Sequence, residues 1–397
     1  MNIGYAYWGF LADEKYNKFG EKITAPDGNA FYSWSIINSL QEMGNTVVQM
    51  MPNRDKPCRE HLDFNGMGFM LNQFDNPRLN AYKNMVKNLY DLVVDWKDVT
   101  EEMLFDIWNS NKINRLDAIL LEWRMEIPGR NTQNAKFECV EWQPDLFIQN
   151  CIIDYCSKYG IKLVIFDLDY KLTYEHVLEF RKKHIDYFIF ELGYKWENNY
   201  CDVNAMHIEV PFDFRYIDNY SICEPNEYKN LVYVGNRYER DRCIDQYIPT
   251  EMYGVNLYGN WLEGGRDSKK RWPTINFHGR INALDMRIAY KDSVCTILLA
   301  KDEYLKHGFM TVRVIESIYY GTLPLIIGEY GEDVIRKYMG RFADDLVIFD
   351  KRSVIDRVMY YKYNKEERKA IINYLREHLS FMDSSIFVKT LVEVISV

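Results

Sequence analysis

Short, continuous apolar runs alternate with amphipathic stretches along this chain. Residues 1–7, 46–51, 117–123, 162–167, 186–191 and 207–210 read as strands in the first half, and 231–234, 255–258, 275–277, 294–299 and 323–327 in the second. Runs that are apolar throughout, rather than at every other position, mark parallel strands covered on both faces. Helical patterns fall at 30–44, closed by Gly44 as a C-cap, and at 147–159, 353–361 and 365–379, with an amphipathic tail at 383–396. Strands that alternate with helices predict doubly wound parallel sheets. Residues 211–229 carry two prolines and few large aliphatics, and read as a linker between two such units.

Composition agrees with two units. A chain of 397 residues with 47% hydrophobic positions exceeds one ordinary core and can fill two. The expected division is an acceptor-binding Rossmann-like domain at 1–215 with a polar, aromatic-rich insertion at about 53–115, a nucleotide-binding domain at 230–380, and a C-terminal helix at 381–397 that crosses back to the first domain. Two Rossmann-like domains facing across a cleft form the α/β architecture called GT-B, in which ligands sit at the carboxyl ends of the strands. No apolar run approaches the ~18 residues of a membrane span. The start, Met1 to Trp8, lacks the basic and long apolar regions of a signal peptide. Eight cysteines without CxxC or zinc spacing fit reduced thiols, and the expectation is a cytoplasmic monomer without membrane contact. A formal charge of −9 argues against a broad nucleic-acid grip, but not against a local basic groove such as Lys269, Lys270 and Arg271.

The chemistry-bearing residues follow the strands. After 231–234 comes Gly235-Asn236-Arg237-Tyr238-Glu239-Arg240-Asp241-Arg242. A glycine there lets the backbone approach a ligand, and arginines entering a helix start suit a diphosphate; an exposed helix with local charge pairs is the competing reading. Arg313 and Glu316, three apart on one helical turn, face the same way. The arginine suits a diphosphate, and the glutamate can accept from a ribose diol. Ile281, in a turn after 275–277, can pack on a base, and Tyr304 can reach the same ligand. A nucleotide-sugar donor is the ligand this set describes.

The first domain supplies carboxylates. Asp167 and Asp169 end a central strand, and one of them is a candidate general base, although an Asx turn or a helix N-cap suits either. Glu122 ends the preceding strand and either pairs with Arg124 or touches the acceptor. Asp27 and Asn29 precede the first helix, where they can contact a sugar or simply cap.

These residues resemble the DNA β-glucosyltransferase family of T-even phages, which glucosylates 5-hydroxymethylcytosine in duplex DNA. The likeness runs in order through the Gly235–Arg242 loop, Tyr258-Gly259-Asn260, Gly279-Arg280-Ile281, Tyr304, Phe309 to Glu316, and Ile355-Asp356-Arg357-Val358. In the first half it includes Glu42-Met43-Gly44 and Asp169-Tyr170-Lys171-Leu172. It implies a GT-B fold, a UDP-sugar donor with UDP-glucose favoured, and inversion at the anomeric carbon. It also implies Asp169 rather than Asp167 as base, Arg242 and Arg313 on the diphosphate, Glu316 on the ribose and Ile281 near the uracil. The family's other loop arginine falls opposite Tyr238, with Arg237 or Arg240 as its replacement. Its sugar-contacting glutamate has no counterpart, because Asp27-Gly28-Asn29 stands there. The Glu316-x-x-x-x-Gly321-Thr322 pattern also resembles CgeB-like glycosyltransferases.

The expected activity is sugar transfer from a UDP-sugar to a hydroxymethylated pyrimidine flipped out of DNA, with Lys269, Lys270 and Arg271 on the DNA backbone. A divalent cation, Mg or Mn, is a possible assistant to the leaving diphosphate. The alternatives are a CgeB-like enzyme acting on a glycan, protein or small molecule, and a non-catalytic nucleotide-sugar or DNA-binding module.

Overall fold

The computed structural model describes residues 1–7, 13–16, 22–25, 30–50, 86–87, 100–110, 115–123, 143–195, 204–214, 222–263, 267–281 and 286–397. Asp27, Asn29 and most of the 53–115 insertion lie outside them. The strands in chain order are β1 (Asn2–Ala6), β2 (Asp13–Tyr16), β3 (Lys22–Ala25), β4 (Thr46–Gln49), β5 (Val86–Lys87), β6 (Ala118–Trp123), β7 (Lys162–Asp167), β8 (Tyr187–Leu192) and β9 (Ala205–Ile208). The second half adds β10 (Leu231–Val234), β11 (Val255–Tyr258), β12 (Asn276–Phe277), β13 (Cys295–Leu298), β14 (Leu323–Ile327) and β15 (Val347–Ile348).

Two sheets result, of order β5-β4-β1-β6-β7-β8-β9 and β12-β11-β10-β13-β14-β15, while β2 and β3 pair separately and antiparallel. Every pairing within the two large sheets is parallel. The apolar runs explain why: β6, β10, β13 and β14 are buried at every position. A strand covered on both faces by helices loses no solvated side. The two doubly wound sheets make the chain a GT-B fold. Several boundaries move: the helix expected at 147–159 is Gln143–Tyr159, the strand expected at 207–210 is Ala205–Ile208, and the helix expected at 353–361 is Lys351–Tyr363. No helix among the described residues is long and apolar enough to cross a membrane.

The chain passes between the units twice, and the two passages hold each other. Phe212 N donates to Met382 O (3.0 Å) and Ser384 N to Phe212 O (2.8 Å). Phe214 N donates to the Asp383 carboxylate at 3.0 Å, whose other oxygen caps Ser385 N at 2.9 Å. The helix that begins there, Ser384–Ser396, lies along the Ala30–Glu42 helix of the first unit. Ser39 and Ser384 hydroxyls meet at 2.7 Å, and Phe387 packs on Phe166 and Phe190 with ring centroids 5.1 and 5.5 Å away. Lys162 Nζ reaches Val394 O at 3.0 Å. The last helix therefore completes the core of the first domain.

Removing that plug has a measurable cost. Phe387→Ala leaves a cavity beside two aromatic rings, and the unfolding free energy should fall by about 3–5 kcal/mol. A urea unfolding curve superimposable on that of the parent protein would show that the helix contributes nothing to this core.

Candidate active site

The donor loop is built by the ends of β10 and β11. Gly235 N donates to Tyr258 O at 2.9 Å, and Trp261 Nε1 donates to Gly235 O at 2.8 Å. Gly259 has φ +139°, and a side chain there would collide with the Gly235 carbonyl, so the two loops touch backbone to backbone. Asn236 Oδ1 accepts from Asn260 N (3.1 Å), and Asn260 Oδ1 accepts from Arg237 N (3.1 Å). Asn236 thus clasps the neighbouring loop with its side chain.

The three loop arginines diverge. Arg237 is consumed by carboxylates: Nε and Nη2 bind Asp241 at 2.7 and 2.6 Å, and Nη1 binds Asp267 at 2.8 Å. Its pKa rises for that reason, chiefly through the Asp241 bond. Arg242 is half-exposed and bridges Asp302 (3.1 Å) and Glu329 (2.8 Å). Arg240 turns inward instead. It is 5% exposed, follows Glu239 in a left-handed conformation (φ 52°), and donates from Nη1 to the Asn236 and Tyr238 carbonyls. Its Nε has no hydrogen-bond partner among the described residues. A buried donor of this kind carries a desolvation cost that an anion would relieve.

Arg313 and Glu316 share the first turn of the Arg313–Tyr319 helix, below the end of β10. Arg313 Nε donates to Val234 O at 2.5 Å and Nη1 to Thr311 Oγ1 at 3.3 Å, so its fork is fixed before any ligand arrives. The helix is held from its other end, where Arg376 donates to Ile318 O (2.9 Å) and Tyr319 O (3.0 Å). Glu316 is buried, and desolvation lifts its carboxyl to about 7 against the pull of Arg313 and the Tyr290 hydroxyl. Ile281 packs half-buried on the cluster of Val232, Val234, Tyr258 and Tyr290 nearby.

On the first domain the two aspartates separate by role. Asp167 is fully buried; its carboxylate accepts from Lys171 N (3.0 Å), Leu172 N (2.9 Å) and, more weakly, Asp169 N (3.4 Å). Burial raises it to about 6 despite those bonds. It is the turn-forming residue of its loop. Asp169 is half-buried and pairs with Lys171 Nζ at 3.0 Å. Glu122 is not open to a ligand: it is fully buried and accepts from Tyr5 Oη (2.6 Å) and Ser33 Oγ (3.1 Å).

One phenol joins the halves. Tyr304 lies within the field of Asp169 from the first domain and of Arg313 and Arg240 from the second. Burial raises its pKa first and Asp169 next, while the two arginines lower it. Its ring also meets that of Tyr170, the residue after Asp169, edge-on with centroids 6.4 Å apart. Arg240 is the residue that sequence reasoning had only as an alternate; its signal, position among three arginines, does not say which one points inward.

Of the basic set, Lys269 and Lys270 are exposed, whereas Arg271 is taken up by Asp241 (2.6 Å) and Asp245 and lies over Trp272. Among the described residues no group of three His, Cys, Asp or Glu side chains is arranged to hold a metal.

No protein-family model and no curated protein sequence matches the chain. Solved structures do. T4 phage β-glucosyltransferase in complex with its UDP-glucose substrate is similar with TM-score 0.54 at 13% identity over 100% of both chains. The same phage enzyme with UDP and Mn2+ gives 0.53 at 12%, again over 100% of both. HepE of Anabaena in complex with UDP-glucose gives 0.51 at 10%, over 100% of this chain and 99% of that one. The resemblance carried by the loop residues thus recurs as a likeness of fold over the whole chain.

The buried glutamate makes a pH prediction. Glu316 binds its proton more tightly folded (about 7) than unfolded (4.5), so its stabilisation is present below pH 4.5 and lost as pH rises through 7. Glu316→Gln should remove up to roughly 3 kcal/mol of that pH dependence. Unfolding curves of both proteins between pH 4.5 and 8 that fall in parallel would refute the shift.

Proposed function

From a fold shared with UDP-glucose-bound glucosyltransferases, we propose that this chain is an inverting UDP-sugar glycosyltransferase. The observation that carries the reading is Arg313, pinned to Val234 O beside the buried Glu316 on the second domain, with the half-buried Asp169 carboxylate on the first domain next to Tyr170, whose ring meets Tyr304. Transfer with inversion needs that pairing. A base takes the acceptor proton on one side of the anomeric carbon, and fixed cations stabilise the departing diphosphate on the other.

In this mechanism Glu316 accepts from the ribose hydroxyls, Ile281 packs against the base, and Gly235 lets the loop backbone close on the diphosphate. Arg313 and Arg240 face the phosphates; Arg240 takes the place first considered for Arg237, whose nitrogens are committed to Asp241 and Asp267. Arg242 stands at the outer lip and exchanges Asp302 or Glu329 for phosphate oxygen. Asp169 releases Lys171 and removes the acceptor hydroxyl proton. That oxygen forms a bond to the anomeric carbon as the bond to UDP breaks, and UDP leaves with the electron pair.

The acceptor we favour is a hydroxymethylated pyrimidine in DNA, supported by the fold likeness to T4 phage β-glucosyltransferase, which is described as a DNA-modifying enzyme. Lys269 and Lys270 are the exposed cations suited to its phosphates. A second reading, transfer to a glycan, protein or small molecule, is favoured by the charge of −9 and by the neutralisation of Arg271.

Incubating the protein with labelled UDP-sugars and DNA containing cytosine, hydroxymethylcytosine or hydroxymethyluracil tests both. Label in one hydroxymethylated DNA supports the first. UDP release without DNA label moves the acceptor to the second class, and no UDP binding at all overturns the proposal. Asp169→Asn should lower kcat by roughly 10²–10⁴-fold with UDP affinity nearly unchanged. Undiminished turnover in that variant would remove Asp169 from the mechanism.

A further inference from the structure

Asp169 can serve a donor held by the other domain only if the two domains keep register, and a pair of stacked rings spans them beside it. Tyr170, the next residue after Asp169, lies parallel to His307 of the second domain, with ring centroids 3.8 Å apart and planes 8° from coplanar. Tyr170 holds a left-handed conformation (φ 58°), uncommon for a bulky residue and costly unless its surroundings enforce it. The surroundings do enforce it: its hydroxyl donates to Leu192 O at 2.7 Å, and its ring meets the edges of Tyr304 and Phe309 at 6.4 and 6.2 Å.

His307 is gripped by a second first-domain loop. Its carbonyl accepts from Tyr194 N (2.9 Å) and Lys195 N (3.0 Å). Gly193 passes so close that an added Cβ would sit 2.5 Å from that carbonyl. The imidazole lies 3.3 Å from Glu191 through Nδ1 and 3.1 Å from Glu303 through Nε2. Burial alone would lower its pKa, but these two carboxylates outweigh it and the net shift is upward. His307 in turn closes the Asp302–Lys306 helix, which carries Tyr304.

We propose that Tyr170 and His307 are positioning residues, a ring-on-ring clamp that sets Asp169 of one domain against the donor face of the other. The inference deepens the glycosyltransferase reading and rests on it for its catalytic part. Neither ring touches reacting atoms. Each is one step along the chain or one helical turn from a group that does its work in the cleft: Tyr170 adjoins Asp169, and His307 follows Tyr304. Two rigid sheets joined at two crossings can rock, and a displacement of about 1 Å at a reacting centre costs on the order of 10²-fold in rate.

The test separates ring from hydroxyl and geometry from activity. The variants are Tyr170→Ala, Tyr170→Phe, His307→Ala and His307→Phe. Interdomain distance distributions are read by pulsed electron resonance, with spin-labelled unnatural residues replacing exposed Glu102 and Tyr363. The unmodified pair, Tyr170→Phe and His307→Phe should give a narrow distribution, and both alanine variants a broadened one. The alanine variants should lose roughly 10²-fold in kcat with UDP affinity within about threefold, while the phenylalanine variants recover most of the rate. Alanine variants with the narrow distribution would overturn the clamp. A broadened distribution with unchanged kcat would overturn its positioning role. Absence of any transfer or hydrolysis by the parent protein would count against the glycosyltransferase reading alone, because the distance measurement needs no substrate.

Discussion

The two domains depend on the crossing of residues 212–214 with 382–384. Backbone bonds between Phe212 and its partners Met382 and Ser384 tie the outgoing and returning chain to each other, and Asp383 caps the return. Parallel strands all deliver their loops at one end, so each sheet has one chemically useful edge. The crossing decides that the two useful edges meet. Without it the Asp169 loop and the Arg313 helix would be related only through the contacts around His307.

Within the cleft, burial rather than proximity divides the acidic residues by role. Asp167 and Asp169 are two residues apart, yet one is enclosed by backbone amides and the other is partly solvated beside a lysine. Glu122 lies at the end of the adjacent strand but is enclosed by Tyr5 and Ser33. A carboxylate spent on a turn or a strand end cannot also take a substrate proton. Glu316 is an intermediate case: it is buried, like Asp167, and desolvation lifts its carboxyl toward neutrality against the pull of Arg313.

Much of this was legible in the sequence, and the reasons differ by residue. The central strands announce themselves because β6, β10, β13 and β14 are buried on both faces and so cannot alternate. Arg313 and Glu316 were legible because helical spacing alone puts them together. The choice among Arg237, Arg240 and Arg242 was not. It is made by the backbone at Glu239 and by acidic partners as distant as Asp267 and Glu329, which no local pattern encodes. The Tyr170–His307 stack was equally hidden, since it joins residues far apart in sequence through a contact that exists only once both domains are formed.

The last helix has a consequence for how the molecule comes into being. Phe166 and Phe190 precede the whole second domain along the chain, yet the ring that covers them, Phe387, follows it. On the ribosome the first domain therefore waits with an apolar face open while the whole second domain is synthesised. Vectorial folding, which normally completes an N-terminal domain before its successor appears, is here reversed in its final step. The core of the first domain closes only once the chain has passed through the second, so a chain interrupted before Phe387 leaves the Phe166 and Phe190 rings uncovered for chaperones and proteases to find.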